Sequence, residues 1–433
     1  MSSYAVPGVG VASNMDDEDA MSVFAGVSRG QWSVRALFSS RDKLIPTGAF
    51  GTVLDDRRSA TEDNRGFIEA SYDGTWMGNG LLWRGSYDRY TYNGGYVYEG
   101  GDSGRRLNVD YAGTDWFSSE LMLTRRISAR HFVTGGLEYR EHLRQDQRSF
   151  YVDPIDVMLD RHDSSRAFAM YAQDEFTISP RLTLNAGVRH DRHSAWRGST
   201  NVRAAVIVKP IENAALKLLH GSAFRAPNPY ELYYFDNPEP LVPERIKTTE
   251  IVWEQYLRRR VRLSVSGFKY TARDLISQGS PFDPTDTFAF ANLDQAEAAG
   301  LELEAEGAWR TLHLLGSFTL QDVRSHPVHV RLSNSPRHLS RGRVTGPLLP
   351  GWVFFGAEGL YTGDRTTLGG NIAAGAFLGN LTLTSRELSH ARLAFTIGNI
   401  FNRSYVDPGA EEHPGDVIAQ PGRTLLARLE WRF

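Results

Sequence analysis

The feature that most narrows what this chain can become is alternation. Over stretches of roughly ten residues, apolar and polar side chains take turns, with turn-forming clusters between the stretches, from Met21 to the end of the chain. A period of two is the strand period, because successive side chains on an extended backbone point to opposite faces. The last segment shows it: Leu425, Ala427, Leu429, Trp431 and Phe433 share one face, and Arg428, Glu430 and Arg432 the other. Trp32, Val34, Ala36 and Phe38 separate in the same way from Ser33, Arg35 and Ser39. Leu301, Leu303 and Ala305 do so from Glu302, Glu304 and Glu306, and Ala391, Leu393, Phe395 and Ile397 from Arg392, Thr396 and Gly398.

Alternation alone fits a soluble sandwich, with its apolar face inward, or a transmembrane barrel, with that face toward lipid and a wet, charged lumen. The connections separate the two. Short ones fall at Arg29-Gly30, 73–79, 128–130, Ser179-Pro180, 209–213, 257–260 and 385–389. Long ones alternate with them at 41–65, 91–114, 144–165, 225–247, 271–293, 324–334 and 405–423. Short turns on one rim and long loops on the other is the outer-membrane barrel pattern. Loops of about twenty residues are uncommon in compact soluble domains. The expected fold class is therefore all-β, a transmembrane antiparallel β-barrel.

The composition excludes most other classes. Mean hydropathy is −0.37, and no apolar run approaches the roughly 18 to 20 residues of a membrane helix. With no cysteine in 433 residues, disulfides, thiolate metal sites and cysteine nucleophiles are out. A net charge of −3 without a dense basic run points away from nucleic acid. No H-E-x-x-H helix or P-loop is present, and Gly26-Val27-Ser28-Arg29-Gly30, which fits G-x-S-x-G, ends an alternating strand segment instead of opening a helix as a nucleophile elbow does, so no enzyme and no cofactor is expected. The first eight residues, Met1 to Gly8, carry neither the basic nor the apolar region of a secretory signal.

Counting alternating segments gives about nineteen strands, the first near 21–28 and the last at 424–433. If the long loops are extracellular, the last strand descends toward the periplasm, and by parity so does the first. Closed bacterial barrels carry an even number, and an unpaired edge in lipid costs several kcal/mol per polar group. The expectation is that this chain does not close into a barrel by itself.

Four blocks carry a resemblance to a known family. The first is Ala223-Phe224-Arg225-Ala226-Pro227-Asn228-Pro229-Tyr230-Glu231-Leu232-Tyr233, followed by Leu241-Val242-Pro243-Glu244-Arg245 and Thr248-Thr249-Glu250. The second is Asn292-Leu293 with Ala298-Ala299-Gly300-Leu301-Glu302-Leu303-Glu304. The third is Gly398-Asn399-Ile400-Phe401-Asn402-Arg403-Ser404-Tyr405, and the fourth Pro421-Gly422-Arg423-Thr424 leading to Trp431-Arg432-Phe433. In order and spacing they resemble the barrel domain of the TonB-dependent receptors.

The resemblance implies a barrel of about 22 strands around a plugged lumen. Residues 1–20 would then be the remnant of an extracellular loop and 21–433 an incomplete barrel, with the plug and roughly three strands absent. It further implies a place in the cell outer membrane, contact with its lipid, and assembly signalled to the barrel assembly machinery by Phe433. The implied activity is active uptake of a large scarce nutrient, of the ferric siderophore, cobalamin or oligosaccharide class, with the TonB energy-coupling complex acting through the missing plug. Alternatives are a plugless porin-like pore, a surface receptor without active transport, and a non-functional gene fragment.

Candidate ligand contacts follow. Tyr90, Tyr92, Tyr96 and Tyr98 flank Gly94-Gly95, preceded by Trp83 and Tyr87. Rigid aromatic faces beside glycines suit stacking on an amphipathic ligand at the mouth; the other reading is an interfacial belt with an extracellular cap. Phe224, Arg225 and Tyr230 lie at the outer rim, where Arg225 either attracts an anionic chelate or holds the following loop through lumenal carboxylates. His190, Asp191 and His193, and Glu411, Glu412, His413 and Asp416, are either metal-binding or solvated rim residues. Glu302, Glu304 and Glu306 are expected to line the lumen and to pair with Arg262.

Overall fold

The computed structural model describes residues 3–6, 10–101, 104–258, 260–279, 289–326 and 329–432. Nineteen strands follow one another in sequence order around a closed barrel, from Glu18–Arg29 to Thr424–Trp431. Each consecutive pair is antiparallel, with a continuous register such as Arg84 opposite Glu120. The strand count and its first and last members agree with the alternation; Phe433 itself lies outside the described residues. Among the described residues, no helix is long and apolar enough to cross a membrane.

The alternation reads out as two environments. Outward stand Ile68, Leu137, Leu303 and Leu429, the last 63% exposed. Inward, ion pairs link the strands: Arg189 reaches Glu138, two strands away, at 2.5 Å, and Lys217 reaches Glu254 on the next strand at 2.7 Å. Arg262 pairs with Glu254 at 3.1 Å and with Glu304, as the acidic face of that strand led one to expect. Apolar outside and ionic inside is the sense a lipid-spanning barrel requires.

Two expectations need correcting. The ring closes, where an open edge was expected. Closure is slight, however: the two strands that meet, Glu18–Arg29 and Thr424–Trp431, stay exposed along nearly all of their length, and no residue-by-residue register joins them among the described residues.

The second correction concerns the segments 91–114 and 144–165, expected as long loops. They are largely strand, in the hairpins Asn79–Glu99 with Arg105–Arg126 and His131–Tyr151 with Asp156–Ser179. Gly94-Gly95 reads locally as a break, but Tyr90, Tyr92, Tyr96 and Tyr98 keep period two and pair across to 106–114. Cross-strand packing overrides the turn signal. A strand of 24 residues such as Asp156–Ser179 exceeds the roughly 9–11 needed to span a bilayer, so the excess rises as a wall above the long-loop rim.

At the short-turn rim, Met77 and Gly78 take positive φ of 49° and 77°, the two-residue hairpin whose twist matches the flanking strands. The expected short turns recur here, with two more at 310–311 and 350–352.

Candidate functional site

The run from Phe224 to Glu244 forms a clip that positions the mouth. The strand Ala214–Arg225 ends at Arg225, and the chain turns into a short helix, Pro229–Tyr233. Asn228 caps that helix: its Oδ1 accepts from the Glu231 N–H at 2.9 Å, and Glu231 Oε2 accepts from the Asn228 N–H at 2.8 Å. Reciprocal capping satisfies two donors that a helix start otherwise leaves bare, and Pro229 suits the first position, where no donor is needed.

Arg225 then donates to Glu231 at 2.8 and 3.0 Å and to Glu244, the first residue of the next strand, at 2.7 Å. The loop that follows is pinned by Asn292, which accepts from Val242 N–H at 2.8 Å and donates to Val242 O at 2.9 Å.

The clip lowers Tyr230 and Tyr234 against the opposite wall. The Tyr234 hydroxyl donates to Asp110 Oδ1 at 2.9 Å, and Gln147 Nε2 donates to Pro229 O at 2.9 Å. Facing them are Tyr90, Tyr92, Tyr96 and Tyr98, all pointing inward from one strand. Together these residues, with Phe50, Tyr151 and Phe235, enclose a chamber of about 900 Å3.

Its geometry is held by specific contacts. The Tyr92 and Tyr96 hydroxyls meet at 2.5 Å over Gly94, where a Cβ would stand only 2.6 Å from the Tyr92 hydroxyl and from the Tyr96 ring; glycine is there because the two phenols occupy its side-chain space. Tyr90 donates to Asp63 Oδ1 at 2.5 Å. Tyr98 meets Tyr151 edge-on at 6.4 Å, and Arg106 lies 4.1 Å over the Tyr151 ring.

The lining carries Asp110 and Asp146 but no lysine or arginine among the described residues. Burial pushes the Tyr230 phenol up to about 12, so it stays neutral. Gln145, 5% exposed, leaves its Oε1 without a partner among the described residues at the chamber's edge. The surface is thus aromatic, supplied with amides and acidic in its few charges.

Not every candidate converges here. Phe224 lines a second lumenal chamber of about 680 Å3, beside Trp196, His193 and Arg189, with its ring 5.5 Å from Trp196. Arg225 is taken up by its two carboxylates. His190 turns to Thr200 at 2.8 Å, while His193 stacks on Trp196 at 5.1 Å, so the two imidazoles part. Asp416 accepts from Thr367 at 2.7 Å and from Asn371 and the Gly369 N–H at 2.9 Å, which ties two loops together. No metal-binding cluster of His, Asp or Glu occurs among the described residues. Sequence reading missed Phe50, Tyr151 and Gln145, since only the strand pairing and the 45–59 loop bring them to the tyrosines. Tyr234 and Phe235 were missed as well, although they follow directly on the first motif block.

Residues 16–400 match the family described as TonB dependent receptor-like, beta-barrel. The chain belongs to this family of outer-membrane transporters and receptors, which are not enzymes.

A curated relative, the vitamin B12 transporter BtuB of Vibrio vulnificus (strain YJ016), is 24% identical over 261 residues. That match spans 58% of this chain and 40% of the relative. Among solved structures, the ferric-catecholate import receptor Fiu of E. coli K12 superposes with a TM-score of 0.76 at 14% identity, over 97% of this chain and 75% of that one. The pyoverdine receptor FpvA of Pseudomonas aeruginosa PAO1 gives 0.76 at 14% identity, over 98% and 72%.

Proposed function

We propose that the chain is the barrel of an outer-membrane receptor that takes up a large, scarce nutrient actively, and that the tyrosine chamber is where the nutrient is first held. The observation that carries this is the 900 Å3 cavity at the long-loop end, walled by inward-pointing Tyr90, Tyr92, Tyr96, Tyr98 and Tyr230. Large aromatic faces grip a ligand at low entropic cost, and the cavity falls within the usual size range for small-molecule sites.

Of the three nutrient classes, the lining favours a neutral one. A polyanionic ferric siderophore entering a chamber with two aspartates and no cation meets like charge, whereas a cobalamin or an oligosaccharide offers flat or amide-rich surfaces to tyrosine and glutamine. Arg225 serves as a positioning residue that holds Tyr230 in place, and Phe224 belongs to the chamber below. Energy would come from the TonB complex acting on a plug.

The test is binding of cyanocobalamin, a ferric tricatecholate and a maltodextrin to outer-membrane vesicles carrying the chain, with Tyr92→Ala and Tyr96→Ala as controls. Binding of either neutral ligand that falls about tenfold or more in the alanine variants supports the reading, since an aromatic anchor contributes 1–2 kcal/mol or more. Binding of the tricatecholate alone, or neutral-ligand binding that the variants leave unchanged, overturns it.

A further inference from the structure

The two rims of the barrel differ in charge. The nine connections at the short-turn rim hold eight Arg or Lys against two acids, whereas the nine at the long-loop rim hold eight against fourteen. Several lumenal cations, Arg84, Arg189, Arg262 and Arg341, each have a carboxylate, while Arg140, Arg203 and Arg343 line the lumen without an ion pair among the described residues. Arg126, Arg130, Arg181, Lys209, Arg310 and Arg386 make no ion pair among the described residues. A cation without an internal partner at an ordered turn is free to serve an external one.

The depth of these cations is marked by tryptophan. Trp32, Trp76, Trp309, Trp352 and Trp431 all lie within two residues of the short-turn rim or the chain's lower end, and each is more than half exposed, from 52% to 59%. Exposed tryptophans in such a ring sit at headgroup level. Arg386 lies 3.6 Å from the Trp352 ring centre, Arg310 lies 5.1 Å from that of Trp309, and Arg126 lies 5.6 Å from that of Phe132. Stacking on the belt holds these guanidiniums at the membrane surface instead of in the lumen, with their N–H edges free.

We propose that this rim binds the phosphates of anionic phospholipid headgroups in the periplasm-facing leaflet. Guanidinium meets phosphate through two parallel hydrogen bonds, and juxtamembrane cations are attracted to an anionic surface within about a Debye length. The acidic loops of the opposite rim offer anionic lipid no such ground, so the preference is one-sided and fixes the height of the barrel in the bilayer.

The test uses the full chain reconstituted in vesicles of phosphatidylcholine and phosphatidylglycerol, with one lipid at a time carrying brominated acyl chains that quench nearby tryptophan. Brominated phosphatidylglycerol should quench about threefold more than its bulk share, and about 0.5 M salt should reduce the excess. Arg126→Gln/Arg310→Gln/Arg386→Gln should bring quenching down to the bulk share, while the corresponding lysine variant keeps most of the excess. Circular dichroism and the salt series on the unaltered chain separate loss of preference from loss of fold. Equal quenching by the two lipids in the unaltered chain overturns the proposal and leaves the rim to an acidic periplasmic protein; so does an excess that survives the glutamine variant.

Discussion

Replacing Arg225 by methionine isolates what the first motif block is for. The side chain makes four donor contacts of 2.7–3.0 Å to Glu231 and Glu244. Hydrogen bonds between charged groups contribute about 1.5–3 kcal/mol each when desolvated, and they are not additive. Arg225 is 45% exposed, while the Glu231 and Glu244 side chains are 10% and 16% exposed, so water recovers part of the loss on the arginine side but little on the carboxylate side. Breaking a fully buried pair costs about 3–5 kcal/mol; discounting for exposure leaves about 2 kcal/mol. That is roughly a thirtyfold rise in the opening equilibrium of the clip, read by amide hydrogen exchange as a thirtyfold loss of protection confined to residues 228–243. The barrel strands should be unaffected, and Arg225→Lys should recover only part, because one ammonium cannot serve both carboxylates in the same geometry. Unchanged exchange at 228–243 would refute the account of the motif as a clip and return Arg225 to its alternative role of attracting an anionic chelate.

Three further perturbations follow from the geometry. Gly94→Val should leave strand content intact but drive Tyr92 and Tyr96 apart, abolishing ligand-induced quenching of tyrosine fluorescence; retained quenching would show that the crossed phenols are incidental. Asn399, 7% exposed at φ 47°, accepts from the Arg403 N–H and donates to Arg403 O at 2.9 and 2.8 Å. Asn399→Ala should therefore cost about 2–3 kcal/mol in strain and lost hydrogen bonds, seen as a lower detergent melting midpoint, with Asn399→Gly recovering about 1 kcal/mol of it. In the 45–59 loop, Arg58 beside Asp56 holds its carboxyl down at about 2. A depressed folded value contributes stability that is complete above the ordinary 3.8 and lost as pH falls from there through about 2, so protease protection of that loop should persist at pH 5 and disappear only near the lower value.

What the sequence disclosed and what it hid divide along the range of the interactions. Period two needs only local geometry, so the strands and the lumenal Glu302, Glu304 and Glu306 were legible from one-dimensional pattern. The turn at 350–352 carries its signal in Pro350-Gly351, whereas the one at 310–311, Arg310-Thr311, does not break the alternation by composition. Gly94-Gly95 misled for the opposite reason: two glycines signal a loop, but here one of them makes space for rings attached two residues away on either side. Asn399 and Asn402 were recognisable as motif residues, while their cause, left-handed φ of 47° and 51° with side chains closing back on the loop, needed the coordinates. The chamber itself was half legible. Its tyrosines stand out in sequence, yet Tyr151 and Gln145, on one strand, and Phe50, in the 45–59 loop, reach it from two other segments.

Phe50 ties the chamber to the place where the ring is weakest. Nineteen alternating strands force the first and last to run the same way, so the closing junction is the one that cannot be antiparallel, and it is there that both strands stay exposed. Above it the loops compensate. The Phe50 N–H donates to Glu412 O at 2.7 Å, linking the connection after the second strand to the connection before the last, while Ala12, Met15 and Leu44 bury a small core with Leu54 and Ala60 beneath. The same Phe50 sets its ring edge-on to Tyr96 at 5.9 Å. Widening the junction would pull Glu412 away and draw Phe50 off the chamber wall, so whatever packs between Phe50 and the tyrosines binds the closed ring better than the open one and stabilises it by mass action. On the reading proposed for the chamber, its occupancy and the integrity of the barrel would be coupled through this one loop, in both directions.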